Sequence, residues 1–317
     1  MKRFGFEHFG GPHVLTTINA PAPQPKAGQV QLEVLGFGLN PYDASLRRGE
    51  QTSRQLQFPI VPGTDVVGRV SALGEGVTDL ALGDVVINYR PLGGYSEFVT
   101  ASTSKLIKKP TAISFMTAAA LPLVGVAAFS IFNQLDLHPK DRLVIIGAGG
   151  GIGSVLLQLA KAQGVHVIAI AALSHHDQLK ALGADVILDD VEAQALRSHH
   201  YPTVVNVRFN GATTPLAQRL VASGGKLLTS AFVDVPDGDY QNLHLTKLAA
   251  TDVALAALVA TARSWGLSIT IGESLPFTLA GVRRGHELLE AGNTGGKLVV
   301  MQPDAVLNAA HVDRNLL

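Results

Sequence analysis

The 317-residue chain contains no cysteine. Disulfide bonds, cysteine nucleophiles, redox dithiols, cysteine-held iron–sulfur clusters and thiolate zinc sites are therefore excluded. The chain also has no excess of charge, since Lys+Arg and Asp+Glu both number 25. Binding of nucleic acid or of an anionic membrane depends on clustered cationic side chains, so we expect neither partner. The two histidine pairs, His175-His176 and His199-His200, have no third ligand at metal-site spacing, and we interpret them as loop histidines.

Long apolar runs are also scarce. Residues 1–7 lack the apolar core of a signal peptide, which makes a cytoplasmic location the default. The most apolar stretch, residues 118–132, contains Pro122 and Gly125 and is shorter than a bilayer-spanning helix requires. We interpret it as a buried helix between two domains. An apolar fraction of 47% is typical of a compact soluble chain, and the length favours two domains.

A glycine-rich turn at residues 147–153 separates an apolar, β-branched strand from a helix with apolar residues at helical spacing. It matches G-x-G-x-x-G at two positions of three, Gly150 and Gly153, with Ala148 at the first. Free amides and the positive end of a helix dipole, around Gly151 and Ile152, bind a dinucleotide pyrophosphate. The alternative is an ordinary glycine-rich turn. The alternation of strands and helices that follows favours the dinucleotide site.

The pattern along the chain predicts a β-rich domain interrupted by an α/β domain. Strands are expected at residues 30–35, 65–72, 84–88 and 95–99, then at 142–146, 165–170, 185–188, 204–207 and 226–230. A strand at 268–271, a helix at 279–290 and a strand at 297–301 are too few to form a domain alone. We therefore predict one domain from residues 1–121 and 267–317, and a second, a doubly wound parallel sheet, inserted as residues 122–266. A substrate cleft is expected between them.

Several short segments, in their order and spacing, resemble the medium-chain dehydrogenase/reductase superfamily, in its zinc-free quinone oxidoreductase (zeta-crystallin-like) branch. The segments are residues 38–43, 62–68, 83–86, 118–123, the glycine turn, 182–185 and 295–300. The resemblance implies an α/β fold in which a doubly wound parallel Rossmann sheet is inserted into a β-rich GroES-like catalytic domain. It also implies a homodimer joined through the nucleotide-binding domains. The apolar tract at 253–262 is compatible with such an interface and equally with a buried helix.

The resemblance also predicts the reaction. Zinc-dependent relatives carry a cysteine ligand where this chain has Asn40 and a histidine ligand where it has Thr64, so no zinc is expected. Hydride would pass from a nicotinamide to an already electrophilic quinone or α,β-unsaturated carbonyl. Asn40, Tyr42 and Tyr89 are the candidate catalytic residues, as donors to the carbonyl oxygen. Alternatively, Asn40 and Tyr42 shape the turn around Pro41 and Tyr89 packs.

The end of the second Rossmann strand favours NADPH over NADH. An NAD site usually places a carboxylate there, about 20 residues beyond the motif, whereas this chain has Ala-Ala-Leu-Ser at 171–174. Ser174 and His175 would donate to the 2′-phosphate of NADPH. By resemblance, Leu121 and Val124 lie near the nicotinamide, and Lys297 approaches the cofactor or seals the cleft. Alternatively, Lys297 is a solvated lysine, and Leu121 and Val124 are ordinary core residues.

One loop departs from the family pattern. After the fourth Rossmann strand, residues 206–210 read Asn-Val-Arg-Phe-Asn where the family usually has Asp-Thr-Val-Gly-Gly or a relative of it. Phe209 could narrow the dinucleotide groove, and Arg208 could contact phosphate or point to solvent. Two alternative functions stay open: a reductase of another activated alkene, such as a 2-alkenal or enoyl thioester, and a non-catalytic NADPH-binding regulatory or structural protein. The tail at 303–317 has no assigned role.

Overall fold

The computed structural model describes residues 1–50, 57–90, 93–208, 211–230, 235, 238–245, 248–292, 294–303 and 305. The chain divides into two compact units, Met1–Leu123 with Ile271–Leu317, and Val124–Thr270. We call them unit 1 and unit 2. The sequence predicted divisions at 121/122 and 266/267, and the structure places them two and four residues later. Phe209, Asn210 and residues 306–317 of the tail lie outside the described residues.

The elements are as follows in chain order. The strands are β1 Lys2–Gly5, β2 Thr16–Asn19, β3 Gln29–Leu39, β4 Asp65–Leu73, β5 Val85–Tyr89, β6 Phe98–Ser102, β7 Leu106–Lys108, β8 Arg142–Ile146, β9 His166–Ile170, β10 Val186–Leu188, β11 Tyr201–Asn206, β12 Val221–Thr229, β13 Tyr240–His244, β14 Ile271–Pro276 and β15 Lys297–Met301. The helices are α1 Pro41–Arg48, α2 Phe115–Leu135, α3 Gly151–Ala162, α4 His176–Ala181, α5 Thr214–Leu220, α6 Thr251–Ser264 and α7 Leu279–Ala291. Short 3₁₀ helices at Pro12–Val14, Thr103–Lys105, Leu173–His175 and Glu192–Ala195 connect some of them.

Unit 1 is built on a seven-stranded sheet in which the long strand β3 is central. The path runs β14-β15-β3-β4-β5-β7, and β6 also pairs with β3. The pairing of β15 with β3 is antiparallel and sets Leu298 opposite Leu39, so the last strand of the chain lies beside the end of β3. The core beneath this sheet includes Phe37 stacked on Tyr95, with ring centroids 4.5 Å apart. This pairing fixes where Asn40, the residue after β3, meets Lys297, the first of β15.

Unit 2 is a six-stranded parallel sheet in the order β10-β9-β8-β11-β12-β13. Strands β8, β9 and β10 proceed outward on one side, and the chain then returns to place β11, β12 and β13 on the other. The order therefore reverses between β8 and β11, whose last residues, Ile146 and Asn206, are register partners. This is the switch point at which doubly wound sheets bind their ligands, at the carboxyl ends of the strands. The fold class predicted from the sequence is confirmed.

Helix α2 carries the most apolar sequence and is mostly buried. It is the one described helix that is long and apolar enough to cross a membrane, and 72% of its most apolar window is buried, which is typical of a core helix as well. Pro122 interrupts its hydrogen bonding because proline has no N–H. The next residue, Leu123, donates its N–H to Asp65 Oδ1 at 2.8 Å, so a carboxylate takes the place of a helical carbonyl.

Two predicted strands are displaced. The strand expected at 95–99 is observed as Phe98–Ser102, and the one expected at 268–271 as Ile271–Pro276. Residue 268 instead belongs to an extended connection held by one side chain: Ser268 N donates to Gln158 Oε1 and Ser268 O accepts from Gln158 Nε2, both at 2.9 Å. The amide of Gln158 supplies the two bonds that a neighbouring strand would have made.

Candidate functional site

The glycine turn follows β8 at the switch point of unit 2 and opens α3. Gly147 adopts a φ of 89°, which favours glycine, and Gly150 is the N-cap of the helix with an extended backbone. The first amides of a helix have no carbonyl partner within it and carry the positive end of its dipole. Gly153 is required for packing, because a Cβ there would lie 2.3 Å from Gly147 O. The turn is thus a tight, amide-lined cradle.

The cradle fits a dinucleotide. A Cβ on Gly150 would meet only Gly147 O, at 3.5 Å, so the space in front of this residue is open, and Gly150 is exposed. Across the switch point, the side-chain Nδ2 of buried Asn206 has no hydrogen-bond acceptor among the described residues. A buried donor without an acceptor at a sheet edge is typical of a ligand-binding position. Asn206 was not among the candidates from the sequence, where only its loop stood out.

No carboxylate side chain lies in the turn that directly follows β9, at residues 171–175. Ser174 is exposed and His175 half-buried on the 3₁₀ helix Leu173–His175, and the ring of His175 lies against the turn, since its Cγ would be 2.5 Å from a Cβ on Gly149. The structure therefore brings His175 to the glycine turn. Residues Gly151 and Ile152 form the first helical turn beside it.

The predicted nicotinamide residues lie on α2. Val124 packs on the turn, because its Cγ1 would be 2.8 Å from a Cβ on Gly151. Leu121 is fully buried and belongs to unit 1, whereas Val124 belongs to unit 2. The contact with Gly151 supports the assignment of Val124 to the nucleotide-binding region, and the burial of Leu121 is what a core residue would also show.

A buried polar cluster, which we call the lysine cage, joins the end of β3 to the start of β15 in unit 1. Lys297 Nζ donates to Asp65 Oδ2 at 3.1 Å, to Leu39 O at 3.3 Å and to Asn40 Oδ1. The Lys297 side chain is 7% exposed and that of Asp65 is fully buried. Lysine has three N–H donors, and these three oxygens account for them. Lys297 is therefore not the solvated lysine that was one alternative from the sequence.

Asn40 lies at the centre of the lysine cage. Its Nδ2 donates to Thr64 Oγ1 at 3.1 Å and to Asp65 Oδ2 at 2.9 Å. An amide has two N–H donors, so both are engaged within the protein. The sequence predicted Asn40 as a donor to the substrate, whereas the structure gives it internal acceptors. Its geometry is that of a residue that positions its neighbours.

Asp43, on the first turn of α1, extends the cluster. It accepts from Asn40 N at 2.9 Å and from Gly63 N at 3.2 Å, which ties α1 to the loop before β4. Burial, together with the nearby charge of Asp65, raises the pKa of Asp43 to about 6, and the hydrogen bond from Asn40 opposes that rise. Burial also raises the pKa of Asp65, against the opposing charge of Lys297. Two buried carboxyl groups thus lie near one ammonium, which contacts Asp65 directly and acts on Asp43 through its charge.

The two candidate tyrosines differ in exposure. Tyr42 is 45% exposed on α1, whereas Tyr89, at the end of β5, is 3% exposed and is the register partner of Asp65. Burial raises the pKa of Tyr89. The guanidinium of Arg90 lies over the Tyr89 ring, 5.4 Å from its centroid. Tyr42 is accordingly the candidate whose phenol is accessible.

The described residues contain no group of three or more His, Asp or Glu side chains arranged to hold a metal ion. The positions matched to zinc ligands in zinc-dependent relatives, Asn40 and Thr64, hydrogen bond to each other. The nearby cation is the ammonium of Lys297.

Comparisons with known proteins agree with this architecture. Residues 26–111 match the alcohol dehydrogenase GroES-like domain. A chloroplast envelope quinone oxidoreductase homolog of Arabidopsis thaliana is 32% identical over 234 residues, which cover 69% of this chain and 71% of that protein. The chloroplastic NADPH-dependent alkenal/one oxidoreductase of the same plant is 29% identical over 313 residues, 95% of this chain and 79% of that protein. The solved quinone oxidoreductase from Coxiella burnetii has a TM-score of 0.83 and 29% identity, covering 95% of this chain and 99% of its own.

The comparisons correct one expectation from the sequence. A plain cytoplasmic location was predicted from the absence of an apolar signal core in residues 1–7. That prediction is wrong, because both plant relatives are named as chloroplast proteins. The inference failed since an apolar signal core marks secretion only, and other targeting signals have none.

Three features agree with these similarities: the sheet order of unit 2, the glycine turn at its switch point, and the GroES-like match in unit 1. The chain belongs to the medium-chain dehydrogenase/reductase superfamily, as an oxidoreductase of its zinc-free quinone oxidoreductase branch.

Proposed function

We propose that this protein is an NADPH-dependent reductase that transfers hydride to a quinone or an α,β-unsaturated carbonyl without zinc. The observation that carries the proposal is the open glycine cradle at the start of α3, at the switch point between β8 and β11. Gly150 leaves room for a pyrophosphate, and the amides of Gly151 and Ile152 would bind it. When bound, NADPH supplies the hydride.

The choice of NADPH over NADH rests on the end of β9. The side chains from Ala171 to His175 include no carboxylate that would repel a 2′-phosphate. One relative of this chain is named as NADPH-dependent, which supports the same choice. Ser174 and His175 remain the proposed donors near the ribose, and His175 already lies against the glycine turn.

The acceptor class follows from the chemistry available to the chain. Relatives are named for quinones and for alkenals and enones, and in all of these the carbonyl is conjugated, so the acceptor carbon is already electrophilic. Such an acceptor needs a hydrogen-bond donor for the oxygen that gains negative charge. A 2-alkenal is thus as suitable as a quinone, and this alternative is kept within the proposal.

We assign Tyr42 as the donor to the acceptor oxygen. Its phenol is accessible, and a phenolic O–H is a hydrogen-bond donor that carries no charge of its own. Asn40 would act as a positioning residue, because both of its amide N–H groups donate to Thr64 and Asp65. Tyr89 would pack beneath Arg90 rather than contact the acceptor.

A homodimer joined through unit 2 is also proposed. Strand β13, Tyr240–His244, is the last strand of the parallel sheet, and an edge strand offers backbone groups for pairing with a second copy. Light scattering coupled to size-exclusion chromatography tests this directly, with a mass of twice 33.3 kDa expected for the dimer.

The function is tested by anaerobic consumption of NADPH and NADH, each with a small quinone and with a short enone. Tyr42→Phe and Tyr89→Phe form a matched pair, since each removes one hydroxyl. We expect turnover with NADPH, a fall in kcat of about tenfold to hundredfold for Tyr42→Phe at unchanged NADPH affinity, and little change for Tyr89→Phe. NADPH binding with no turnover of any conjugated acceptor would favour the non-catalytic alternative. Absence of NADPH binding would refute the proposal altogether.

A further inference from the structure

An exposed ion pair crosses the carboxyl edge of the parallel sheet in unit 2. Asp190 lies two residues after β10, and Arg208 lies two residues after β11. The guanidinium and the carboxylate form a two-pronged contact, with Nη2 to Oδ1 at 2.9 Å and Nη1 to Oδ2 at 3.0 Å. Strands β9 and β8 lie between β10 and β11 in the sheet, so the pair connects loops roughly 14 Å apart at the usual strand spacing.

The side chain of Arg208 passes over the glycine turn. Its Cγ would lie 3.0 Å from a Cβ on Gly147, the residue that follows β8, and its backbone N donates to Asn206 Oδ1 at 3.1 Å. The aliphatic part of the Arg208 side chain therefore lies at the switch point, while its guanidinium extends over the ends of β8 and β9 toward Asp190. The end of β9 is where a dinucleotide fold binds the 2′ position of the adenosine ribose.

The ion pair contributes little to folding. The side chains of Arg208 and Asp190 are 24% and 56% exposed, and pairs at such exposure are weak because water screens them. The guanidinium of Arg208 is thus held only weakly by Asp190, near the place where the 2′ group of the ribose binds. A doubly charged phosphate can therefore displace the carboxylate of Asp190 from it. Arg208 also stands where the family pattern Asp-Thr-Val-Gly-Gly has its valine, so a charged side chain replaces an apolar one at this position.

We propose that Arg208 is the receptor for the 2′-phosphate of NADPH and that Asp190 holds its guanidinium in place until the phosphate displaces the carboxylate. Guanidinium binds phosphate through two parallel N–H···O bonds, the geometry that it already uses on Asp190. The sequence offers no arginine near the end of β9, and the chain supplies one from β11 instead. This inference rests on the proposed function, because it requires the dinucleotide to bind along the glycine turn.

The test is binding of adenosine 2′,5′-bisphosphate and of 5′-AMP by calorimetry, which differ by the 2′-phosphate alone and need no turnover. Arg208→Gln removes the proposed receptor, and Arg208→Lys keeps a charge without the fork. Asp190→Asn removes the competing carboxylate. Arg197→Gln is the matched control, since it removes one charge from another arginine of the same unit.

We expect Arg208→Gln to weaken binding of the bisphosphate about tenfold or more, with 5′-AMP changed less than about twofold, and Arg208→Lys to fall between. Asp190→Asn should tighten the bisphosphate several-fold, and Arg197→Gln should change neither ligand. An equal loss of both ligands in Arg208→Gln, no loss of either, or weaker bisphosphate binding in Asp190→Asn would overturn the inference. If neither these nucleotides nor NADPH bind the wild-type protein, the proposed function itself fails, and the inference fails with it.

Discussion

Replacing Lys297 with methionine tests the lysine cage, because it keeps an unbranched stem and removes the ammonium that contacts Asp65. The Asp65 side chain is fully buried and that of Lys297 is 7% exposed. Removing one partner of a buried ion pair costs about 3–5 kcal/mol, since the other charge stays buried without compensation. Asp65 would still accept from Leu123 N and Asn40 Nδ2, so we expect about 3 kcal/mol, at the lower end of that range.

The loss should depend on pH. Burial raises the pKa of Asp65, and Lys297 opposes that rise, so removal of Lys297 allows the pKa to rise further. A carboxyl group whose folded-state pKa is raised contributes stability that is present at low pH and lost as pH increases through that pKa. Relative to wild type, the Lys297→Met variant should therefore lose more stability at about pH 8 than at about pH 5.

The assay must follow unit 1 alone. The single tryptophan, Trp265, lies in unit 2, so its fluorescence reports the wrong unit. Hydrogen exchange of peptides from β3 and β15 in increasing urea gives a local free energy of unfolding for unit 1. Lys108→Met is the matched control, because Lys108 pairs with Asp84 at the surface of the same unit, at 2.8 Å. Water screens such an exposed pair, so its removal should change the stability of unit 1 little.

The double variant Lys297→Met/Asp65→Asn completes the cycle. It removes the uncompensated charge, so we expect it to recover about half or more of the loss of the single variant. A single variant that loses less than about 1 kcal/mol, or a double variant that loses the sum of both single changes, would refute the conclusion that the ammonium compensates a buried carboxylate.

Three further predictions follow from the site. Because burial raises the pKa of Asp43 from 3.8 to about 6, ionisation of this group costs stability as the pH rises from about 4 to 7. The Asp43→Asn variant should therefore gain about 2 kcal/mol of stability relative to wild type over that interval, measured by urea unfolding of unit 1, and a pH-independent difference would contradict this. Gly150→Ala should fold normally, since its Cβ has room, yet weaken NADPH binding about tenfold in a fluorescence titration by filling the cradle. Gly153→Ala should lower the free energy of unfolding of unit 2 by about 1–3 kcal/mol, measured by Trp265 fluorescence, and equal stability of the two glycine variants would show that the backbone absorbs the clash with Gly147 O.

The fold was largely predictable because its local signals are strong. The bounds of β8 and β15 agree with the prediction, and α3 begins within the glycine turn as expected. Both strands are apolar and β-branched, and Pro and Gly mark the segments around them. The strand expected at 268–271 starts late for a reason that the local sequence hides. Leu267 and Ile269 are buried, as in a strand, but the backbone of Ser268 between them is held by the side chain of Gln158, which lies 110 residues earlier in the chain. No local pattern reports such a partner.

The lysine cage was only partly predictable. Asn40 and Lys297 were both candidates from the resemblance, yet their contact joins residues 257 positions apart and depends on the register of β15 with β3. The central position of Asp65 emerges only when β3, β4 and β15 are placed together. Gly38 supplied a signal in retrospect: a Cβ there would lie 2.6 Å from Ala119 O and 3.0 Å from Asp65 Oδ2, so only glycine fits beside the buried carboxylate.

The central claim, hydride transfer from NADPH to a conjugated acceptor, is tested most directly with NADPH that carries deuterium at the transferred position of the nicotinamide. The wild-type protein, the labelled cofactor and a short enone are incubated without oxygen, and the product is analysed by mass spectrometry. We predict one deuterium on the carbon β to the carbonyl, with solvent supplying the other hydrogen. Oxidation of the cofactor with no label in the product, or no oxidation of NADPH by any conjugated acceptor, would contradict the claim.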